Sequence, residues 1–381
     1  MITRRMNWLK IPFLASLAVF ACAPADAPAP DEGGPNDAAA VMPADPVVVA
    51  RGLNGPIGVL VDPDGTLWVA DSGTGGSNEV HGVLGTGDAY TYVWGETARL
   101  VRVEPGGSQT DITTLPSVVI PEGPQGAGHI VRLGSALYVT AAGWAEGMTA
   151  DRVPNMAAVV RVADGSATEF ANTWDFENRE NPEPAHRETN PYDLTVGPDS
   201  ALWVTDAAGN TLYRIDPATG ALELKAVFPA MPGPIPNALR GGAMEIEPVP
   251  TAVAFDDDGN TYVSLLGGLP FLPGSSKVVR VASDGGLTDY ATDLTMLTDL
   301  VTGPDGRLYG VSIGEFTDQG PTPNSGAILR IGPGSSSEAL VSGLSMPASI
   351  AFAPNGDAYV TINAIGAPGS GQVVKYAGLA R

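Results

Sequence analysis

Residues 56–71 of this 381-residue chain read PIGVLVDPDGTLWVAD. Apolar residues alternate with other residues on both sides of the turn Asp62-Pro63-Asp64-Gly65, which is the pattern of two antiparallel strands joined by a tight turn. Five further segments align with this one on an apolar anchor residue and on an aromatic residue in the second run. The anchors are Val59, Ile130, Leu194, Val253, Leu300 and Ile350, and the aromatic residues are Trp68, Tyr138, Trp203, Tyr262, Tyr309 and Tyr359. The chain therefore contains six copies of one hairpin.

A third apolar run with one basic residue follows each hairpin, and a short turn then leads to a fourth run. The basic residues are Arg102, Arg161, Arg214, Arg280, Arg330 and Lys375. We expect them to pair with turn carboxylates or carbonyls and not with a ligand. Four antiparallel strands repeated six times, at roughly 50 to 70 residues a unit, predict an all-β fold, a six-bladed β-propeller of the TolB-like or NHL-like kind.

The last copy stops soon after Lys375-Tyr376 and has no room for its own fourth strand. Near the start of the chain, residues 47–53 read VVVARGL and resemble residues 339–344, ALVSGL, which form a fourth strand in the repeat. We therefore predict that the N-terminal strand completes the last blade and closes the ring. The predicted propeller domain spans residues 46–381.

The N-terminus has the pattern of an export signal. Arg4, Arg5 and Lys10 precede an apolar run, residues 11–21, that is too short to cross a bilayer. Residues 19–22, Val-Phe-Ala-Cys, resemble a bacterial lipobox. This predicts a lipoprotein signal peptide at 1–21, lipidation of Cys22 and a disordered Ala/Pro/Asp-rich tether over 22–45. The alternative is an ordinary secretory signal cut after a residue such as Ala25. We expect an exported protein, anchored in the periplasm or at the cell surface, or otherwise secreted.

The net charge of the protein limits which kinds of partner it can bind. With 20 Lys and Arg against 42 Asp and Glu, the formal net charge is −22. Such a protein repels phosphate backbones and anionic bilayers, so nucleic acid is excluded as a partner and membrane contact is expected through the lipid anchor only. The acidity keeps an exported protein soluble, or it attracts cations. The single cysteine cannot form an internal disulfide.

Loop lengths predict which face of the propeller binds a ligand. The connections from second to third strands and those between blades are long, and both kinds emerge on one face, which we call the long-loop face. We expect a small molecule or a protein to bind there. A broad aromatic surface on these loops would be built from Trp94, Trp144, Trp174 and Phe271.

The residue before each anchor should line the channel of the ring near the long-loop face. These residues are Gly58, His129, Asp193, Ala252, Asp299 and Ser349. We predict a ligand-binding channel mouth formed by His129, Asp193, Asp299 and Ser349, because an imidazole and two carboxylates suit a cation or an acid–base pair. The alternative is that these groups only line a wet channel.

The remaining motif evidence concerns metals and cofactors. Loops 71–73 and 177–181 offer oxygen ligands that would favour calcium as a cofactor. His81 and His186 have no spacing for a structural zinc site. The sequence contains no nucleophile elbow, phosphate-binding loop or dinucleotide fingerprint, so it gives no support to hydride or phosphoryl transfer.

Four segments carry a resemblance to the ScyD/ScyE family of exported six-bladed propellers. They are residues 52–73, 190–220, 249–281 and 297–316. The resemblance implies a propeller fold and an exported location, and it implies no established reaction. We therefore favour a binding or scaffold protein over an enzyme.

The chain resembles two groups of propeller enzymes more distantly. In the SMP-30/gluconolactonase group a divalent ion in the channel is held one residue before the candidates above. None of the residues at these positions in this chain has a carboxylate, and none is an asparagine. They are Ile57, Gly128, Tyr192, Thr251, Thr298 and Ala348. A streptogramin-lyase-like reaction would rest on His129 alone. The alternative function is thus a hydrolase or lactonase that depends on a divalent cation, or a lyase, using the channel mouth.

Overall fold

The computed structural model describes residues 45–83, 89–120, 123–148, 150–317 and 320–381. The predicted signal peptide, Cys22 and nearly all of the predicted tether lie outside the described residues. Within them the chain forms β-strands, one short α-helix, α1 (Thr173–Glu180), and one 3-10 turn, Ala238–Arg240. No helix in this part of the chain is long and apolar enough to cross a membrane. The predicted all-β class is confirmed.

Six antiparallel sheets follow one another along the chain, each with at least four strands. Sheet 1 contains Pro56–Val61, Leu67–Asp71, Ala89–Val103, Gln109–Ile120 and Gly123–Gln125, with Asn78–Val83 beside the third of these. Sheet 2 contains Ile130–Leu133, Ala136–Thr140, Ala158–Ala163 and Ser166–Asn172. Sheet 3 contains Pro191–Val196, Leu202–Asp206, Thr211–Ile215 and Leu222–Val227.

The other three sheets repeat the order. Sheet 4 contains Pro250–Phe255, Thr261–Leu265, Ser276–Val281 and Leu287–Leu294. Sheet 5 contains Leu297–Thr302, Leu308–Ser312, Gly326–Arg330 and Glu338–Leu344. Sheet 6 contains Ile350–Phe352, Ala358–Ile362, Gly371–Tyr376 and Val47–Leu53. Three two-stranded ribbons lie in the connections: Trp144–Ala145 with Glu188–Thr189, Met231–Asn237 with Ala243–Ile246, and Phe316–Thr317 with Gly320–Pro321.

The strand nearest the N-terminus belongs to the sheet nearest the C-terminus. Val47–Leu53 pairs antiparallel with Gly371–Tyr376, and Val48 lies opposite Val374. This is the pairing that the sequence similarity of residues 47–53 to a fourth strand predicts. The outer strand of sheet 6 is therefore supplied from the other end of the chain.

The first strands of the six sheets are neighbours. Each contacts the first strands of the sheets before and after it, and Pro56–Val61 of sheet 1 contacts Ile350–Phe352 of sheet 6. Because successive side chains of a strand point to opposite faces, the anchor residues and the residues before them face different surroundings. The anchors enter the apolar clusters between sheets, and the residues before them face the space that the first strands enclose.

Apolar clusters fill the spaces between neighbouring sheets. Leu100 of sheet 1 packs in one cluster with Val139 of sheet 2. Val69 of sheet 1 packs in another with Tyr359 of sheet 6. The core is thus divided into layers between sheets, which explains why each strand carries alternating apolar residues.

Four of the six recurrent aromatic residues and four of the six recurrent basic residues pair with acidic residues in or beside the turns, as predicted for the basic set. The Tyr309 hydroxyl donates to the turn carboxylate of Asp305 at 2.9 Å. Lys375 lies 2.8 Å from the turn residue Asp357. Acidic partners within 3.0 Å are also found for Arg102, Arg214 and Arg330. These positions are therefore structural parts of the repeat.

Candidate functional site

The structure brings together the four residues that the sequence predicts for the site. His129 directly precedes the first strand of sheet 2, and Asp193 and Asp299 lie in the first strands of sheets 3 and 5. One ligand atom from each lies within 4.8 Å of the others, and all three side chains are buried. Ser349, which directly precedes the first strand of sheet 6, is 2% exposed and lies beside Asp299. The alternation rule thus placed four side chains from four sheets in one place.

His129 and Asp193 form a buried pair. His129 Nδ1 lies 3.0 Å from Asp193 Oδ1, and Asp193 Oδ2 accepts the backbone N–H of Val253 at 2.9 Å. A ring nitrogen that faces a carboxylate carries the hydrogen, so Nδ1 is the donor. The other ring nitrogen, Nε2, is buried and has no hydrogen-bond partner among the described residues. It is the one unengaged polar atom of this pair and is available to a ligand.

Asp299 is fixed by two backbone amides. Its Oδ1 accepts the N–H of Leu300 at 2.8 Å, and its Oδ2 accepts the N–H of Ile350 at 2.9 Å. Each carboxylate oxygen can accept more than one hydrogen bond or bind a cation in addition. Asp299 is therefore held rigidly and still has capacity for a ligand.

The charges of the three groups act on one another. Burial lowers the pKa of His129, but the charges of Asp193 and Asp299 outweigh burial and leave this pKa above its usual value. Burial raises the pKa of Asp299 to about 6, with the charge of Asp193 adding to the rise and that of His129 opposing it. One imidazolium facing two carboxylates leaves one negative charge. The group is thus suited to a cation or to a ligand that carries hydrogen-bond donors.

Tyr192 and Thr140 support the site, and sequence reasoning did not single them out for it. The rings of Tyr192 and His129 lie 5.2 Å apart between centroids, and burial with the charges of Asp299 and Asp193 raises the pKa of Tyr192. Thr140 Oγ1 donates to the backbone oxygen of Tyr192 at 2.7 Å and accepts the backbone N–H of His129 at 2.9 Å. A hydroxyl residue recurs at this place in four of the second strands: Thr140, Thr205, Ser264 and Thr361. That repeat was the signal for Thr140.

A cavity of about 460 Å³ leads away from the three polar side chains. The first strands of all six sheets line it, and we call it the central cavity. Its lining extends to Pro304 and Pro354, in the turns between first and second strands. The residues two places after the polar set form its wall: Leu60, Val131, Thr195, Ala254, Val301 and Ala351. An apolar wall with a few convergent polar groups is typical of a small-molecule site.

The position of the polar set differs from the predicted mouth on the long-loop face. Beyond the other ends of the first strands lies an apolar cluster that includes Val249, Phe271, Met296 and Ile313, with Tyr192 packed against it. The polar side chains therefore form the floor of a cavity that extends toward the tight turns. The cause is that the residues flanking the strands on the long-loop side are apolar and pack together.

The predicted aromatic surface on the long loops is not exposed. Phe271 is 9% exposed and Trp144 is 3% exposed. Trp94 and Trp174 are partly buried against the cluster that contains Trp144. These residues serve as core of the long connections, because an aromatic side chain gains more from burial than from exposure.

The predicted calcium loops are used in other ways. Asp71 accepts the backbone N–H of Asn54 at 2.7 Å and pairs with Arg99, so it joins strands within the sheet. Residues 177–180 form the last turn of helix α1, not a loop. His81 is exposed on the strand Asn78–Val83, 3.0 Å from the Thr91 hydroxyl. Asp71 is thus engaged within the sheet, whereas the buried carboxylate of Glu177, in the second segment, lies near other charged side chains, and calcium there stays a prediction.

His186 lies in a second buried charged group, which sequence reasoning missed. One ligand atom each from Glu183, His186 and Glu247 lies within 4.8 Å of the others. The Arg240 guanidinium lies between the two carboxylates, with Nη2 at 3.1 Å from Glu183 and 2.6 Å from Glu247. The group comes from two separate connections, so spacing along the sequence gives no signal for it.

Burial and charge act strongly on His186 and on Glu177, a buried carboxylate of helix α1 near this group. Burial, together with the charges of Asp206 and Glu188, raises the pKa of Glu177 to about 9. Burial lowers the pKa of His186, but the charge of Glu188 and of further carboxylates raises it to about 9. Buried carboxylates thus surround His186, and the Arg240 guanidinium is a second cation among them.

Part of the chain matches a known family. Residues 191–366 match the sequence profile described as the SMP-30/Gluconolactonase/LRE-like region. The match includes Asp193, Asp299 and Ser349, begins after His129 and covers less than half of the chain. It supports the resemblance to the SMP-30/gluconolactonase group, whereas the ScyD/ScyE resemblance stays a prediction. No curated protein matches the chain in sequence.

Solved structures match over most of the chain. An oxidoreductase described as a glucose dehydrogenase, from Thermus thermophilus, has a TM-score of 0.52 at 16% identity, covering 87% of this chain and 98% of that one. An aldose sugar dehydrogenase with bound PQQ, from Streptomyces coelicolor, has a TM-score of 0.52 at 14% identity, covering 88% and 99%. A streptogramin B lyase has a TM-score of 0.45 at 16% identity, covering 87% and 96%. The two dehydrogenase matches indicate a β-propeller fold, and within it residues 191–366 resemble the SMP-30/gluconolactonase/LRE-like region.

Proposed function

We propose that the six sheets are the blades of one propeller, closed by Val47–Leu53, and that this propeller is a small-ligand-binding protein. Its central cavity holds a divalent cation between His129, Asp193 and Asp299, and the ligand binds above that cation. One observation carries the proposal. His129, Asp193 and Asp299 each offer a ligand atom within 4.8 Å of the others, they line a cavity with a largely apolar wall, and the Nε2 of His129 has no partner among the described residues.

The three donor side chains limit which kinds of cation can bind. One imidazole with two carboxylates suits a transition ion such as Mn²⁺ or Zn²⁺ better than calcium, which takes oxygen ligands. The cation must compete with a proton on His129, because a metal ligand binds as the neutral imidazole. The negative charge that attracts the proton also attracts the ion, so binding should strengthen as the pH rises above neutrality.

Thermal melting of metal-free protein tests the cation. We expect Mn²⁺ or Zn²⁺ to raise the melting temperature in proportion to the logarithm of ion concentration above the dissociation constant. Asp193→Asn with Asp299→Asn should abolish the response. The control, Asp257→Asn with Asp258→Asn, removes the same charge from an exposed turn and should leave the response intact. Equal responses in both double variants would show that the ions bind elsewhere.

A hydrolase is the second candidate, and the His129–Asp193 pair favours it. A carboxylate on Nδ1 with Nε2 free toward a cavity is an arrangement that transfers protons to and from a substrate. The profile match over residues 191–366 adds lactones to the substrates worth testing. Turnover of a lactone or ester that is lost in His129→Gln would favour the enzyme. Ligand binding without turnover would favour the binding protein.

We also propose that the protein is exported and anchored through a lipid on Cys22. The support is the sequence alone: a basic start, a short apolar run and a lipobox-like Val-Phe-Ala-Cys. A scaffold role of the ScyD/ScyE kind would fit that location. In either case the membrane contact comes from the lipid, and the partner is a small molecule or a protein.

A further inference from the structure

A group of buried charged side chains lies apart from the central cavity, where helix α1, residues 181–190 and residues 206–213 and 237–247 meet. We call it the loop-face cluster. Its carboxylates are almost fully buried, with Glu177 and Asp206 at 0% exposure and Glu247 at 1%. The complete set of carboxylates is Glu177, Glu183, Glu188, Asp206 and Glu247.

The cationic side chains do not balance these carboxylates. The cations facing the cluster are Arg240, Arg187 and a protonated His186. Arg187 also pairs with Glu146, 3.4 Å away on the outside. With all five carboxylates ionised, two negative charges would have no counterpart among these cations, and the raised pKa of Glu177 reflects that imbalance. A buried charge without a partner is among the most costly features in a folded protein.

Three of the carboxylates already have full sets of partners. Arg240 lies between Glu183 and Glu247, with Nε at 2.7 Å from Glu247 Oε1. Asn210 donates to Glu247 Oε2 at 2.8 Å. Asp206 Oδ1 accepts the backbone N–H of Asn190 at 2.7 Å and that of Gly209 at 2.9 Å, and its Oδ2 accepts the Thr189 hydroxyl. A cation between Glu183 and Glu247 would have to displace a guanidinium, so the free capacity lies on Glu177 and Glu188.

Among the described residues, three buried oxygens of the cluster have no hydrogen-bond partner, Glu177 Oε2, Thr211 Oγ1 and Tyr213 OH, and a fourth, Glu188 Oε1, has only an ion pair. The other oxygen of Glu177 accepts the side-chain amide of Asn181 at 2.9 Å. Glu188 Oε1 is 2.9 Å from His186 Nε2, which points at the backbone oxygen of Ala208 instead. Buried polar atoms without partners mark the place of an ion or a water molecule.

We propose that the loop-face cluster binds one divalent cation of the calcium type through Glu177 and Glu188, with the Thr211 and Tyr213 hydroxyls and water completing the shell. Unpaired oxygens of carboxylates and hydroxyls are the ligands that calcium prefers, at six to eight per ion. One divalent ion would balance the two negative charges that remain when all five carboxylates are ionised. The cation would tie helix α1 and residues 181–190 to the third strand of sheet 3.

Calcium melting curves test this second site separately from the central one. We expect calcium to raise the melting temperature of metal-free protein, and the rise should persist in Asp193→Asn with Asp299→Asn. Glu177→Gln keeps the shape of the side chain and should remove the response. Glu180→Gln on the same helix is the matched control, because its side chain is 52% exposed, and it should respond like the native protein.

Hydrogen exchange of residues 173–190 gives a second measurement. Calcium should slow exchange in this segment of the native protein at least several-fold and leave it unchanged in Glu177→Gln. A calcium response that survives in Glu177→Gln would overturn the proposal. So would a native protein without a response together with a Glu177→Gln variant of higher melting temperature at neutral pH, since a proton would then neutralise Glu177.

Discussion

His129 Nδ1 and Asp193 Oδ1 lie 3.0 Å apart, although the two residues belong to different sheets. The contact joins the first strand of sheet 3 to the residue that leads into sheet 2, at the floor of the central cavity. It also fixes the orientation of the imidazole, because Nδ1 is engaged by Asp193 and Nε2 is left without a partner. Every proposal for this cavity depends on that one free nitrogen and on Asp299 beside it.

The first prediction concerns the pH dependence that Asp299 imposes on metal-free protein. Its pKa is about 6 in the fold against 3.8 as the ordinary value, so the folded protein binds this proton more tightly than the unfolded chain. Stability is therefore lost as the pH rises from about 4 to about 6, by about 3 kcal/mol in all. Asp299→Asn cannot lose stability in this way. The melting temperature of the variant minus that of the native protein should therefore increase as the pH rises over this range.

The groups around Asp299 determine which part of the measured difference is informative. His129, Asp193 and Ser349 face it directly, and Asn can accept only one of the two backbone N–H groups that Asp299 accepts. That lost hydrogen bond is the same at every pH, so only the change of the difference with pH is diagnostic. A difference between the two melting curves that stays constant from pH 4 to pH 7 would contradict the raised pKa.

The fold was predictable because the same pattern of strands and turns occurs in all six copies of the repeat. Alternation and the Asp-containing turn identify the hairpins, and the same alternation placed His129, Asp193 and Asp299 together. Two features were not predictable in this way. The length of a loop does not show how it packs, so Phe271 was expected on the surface and lies in an apolar cluster. In the loop-face cluster, Glu177 and Glu247 come from connections that are far apart in the sequence. The spacing of these residues along the chain does not show that they lie close together in the fold.

The second prediction tests the strand that the N-terminal region supplies to sheet 6. Leu53 is fully buried in the cluster between sheets 1 and 6, with Val373 and Tyr359. Leu53→Ala removes these contacts and leaves a void, so it should lower the free energy of unfolding by about 2 to 5 kcal/mol. Val47→Ala is the control on the same strand, because Val47 is 60% exposed, and denaturant melts should show almost no change. Equal effects of the two substitutions would mean that this strand does not anchor the ring.

The third prediction concerns Cys22, which lies outside the described residues. If a lipid on this cysteine is the only membrane attachment, Cys22→Ala should move the protein from the membrane fraction to the soluble fraction with an unchanged melting temperature. Fractionation of the producing cells followed by immunoblotting measures it. A variant that stays in the membrane pellet would show that an uncleaved signal or another part of the chain holds it.

The last prediction concerns Thr140, which links His129 to Tyr192. Its hydroxyl donates to the backbone oxygen of Tyr192 and accepts the backbone N–H of His129. Thr140→Val keeps the shape but leaves both buried backbone groups without this partner, so it should cost about 2 to 4 kcal/mol of stability. Thr110→Val, at an exposed position of sheet 1, is the matched control and should cost little. Because His129 is no longer held in register, the midpoint for Mn²⁺ or Zn²⁺ in the melting assay should also shift to higher concentration in Thr140→Val. A stability loss with an unchanged metal midpoint would show that Thr140 only joins sheets 2 and 3 and does not position His129.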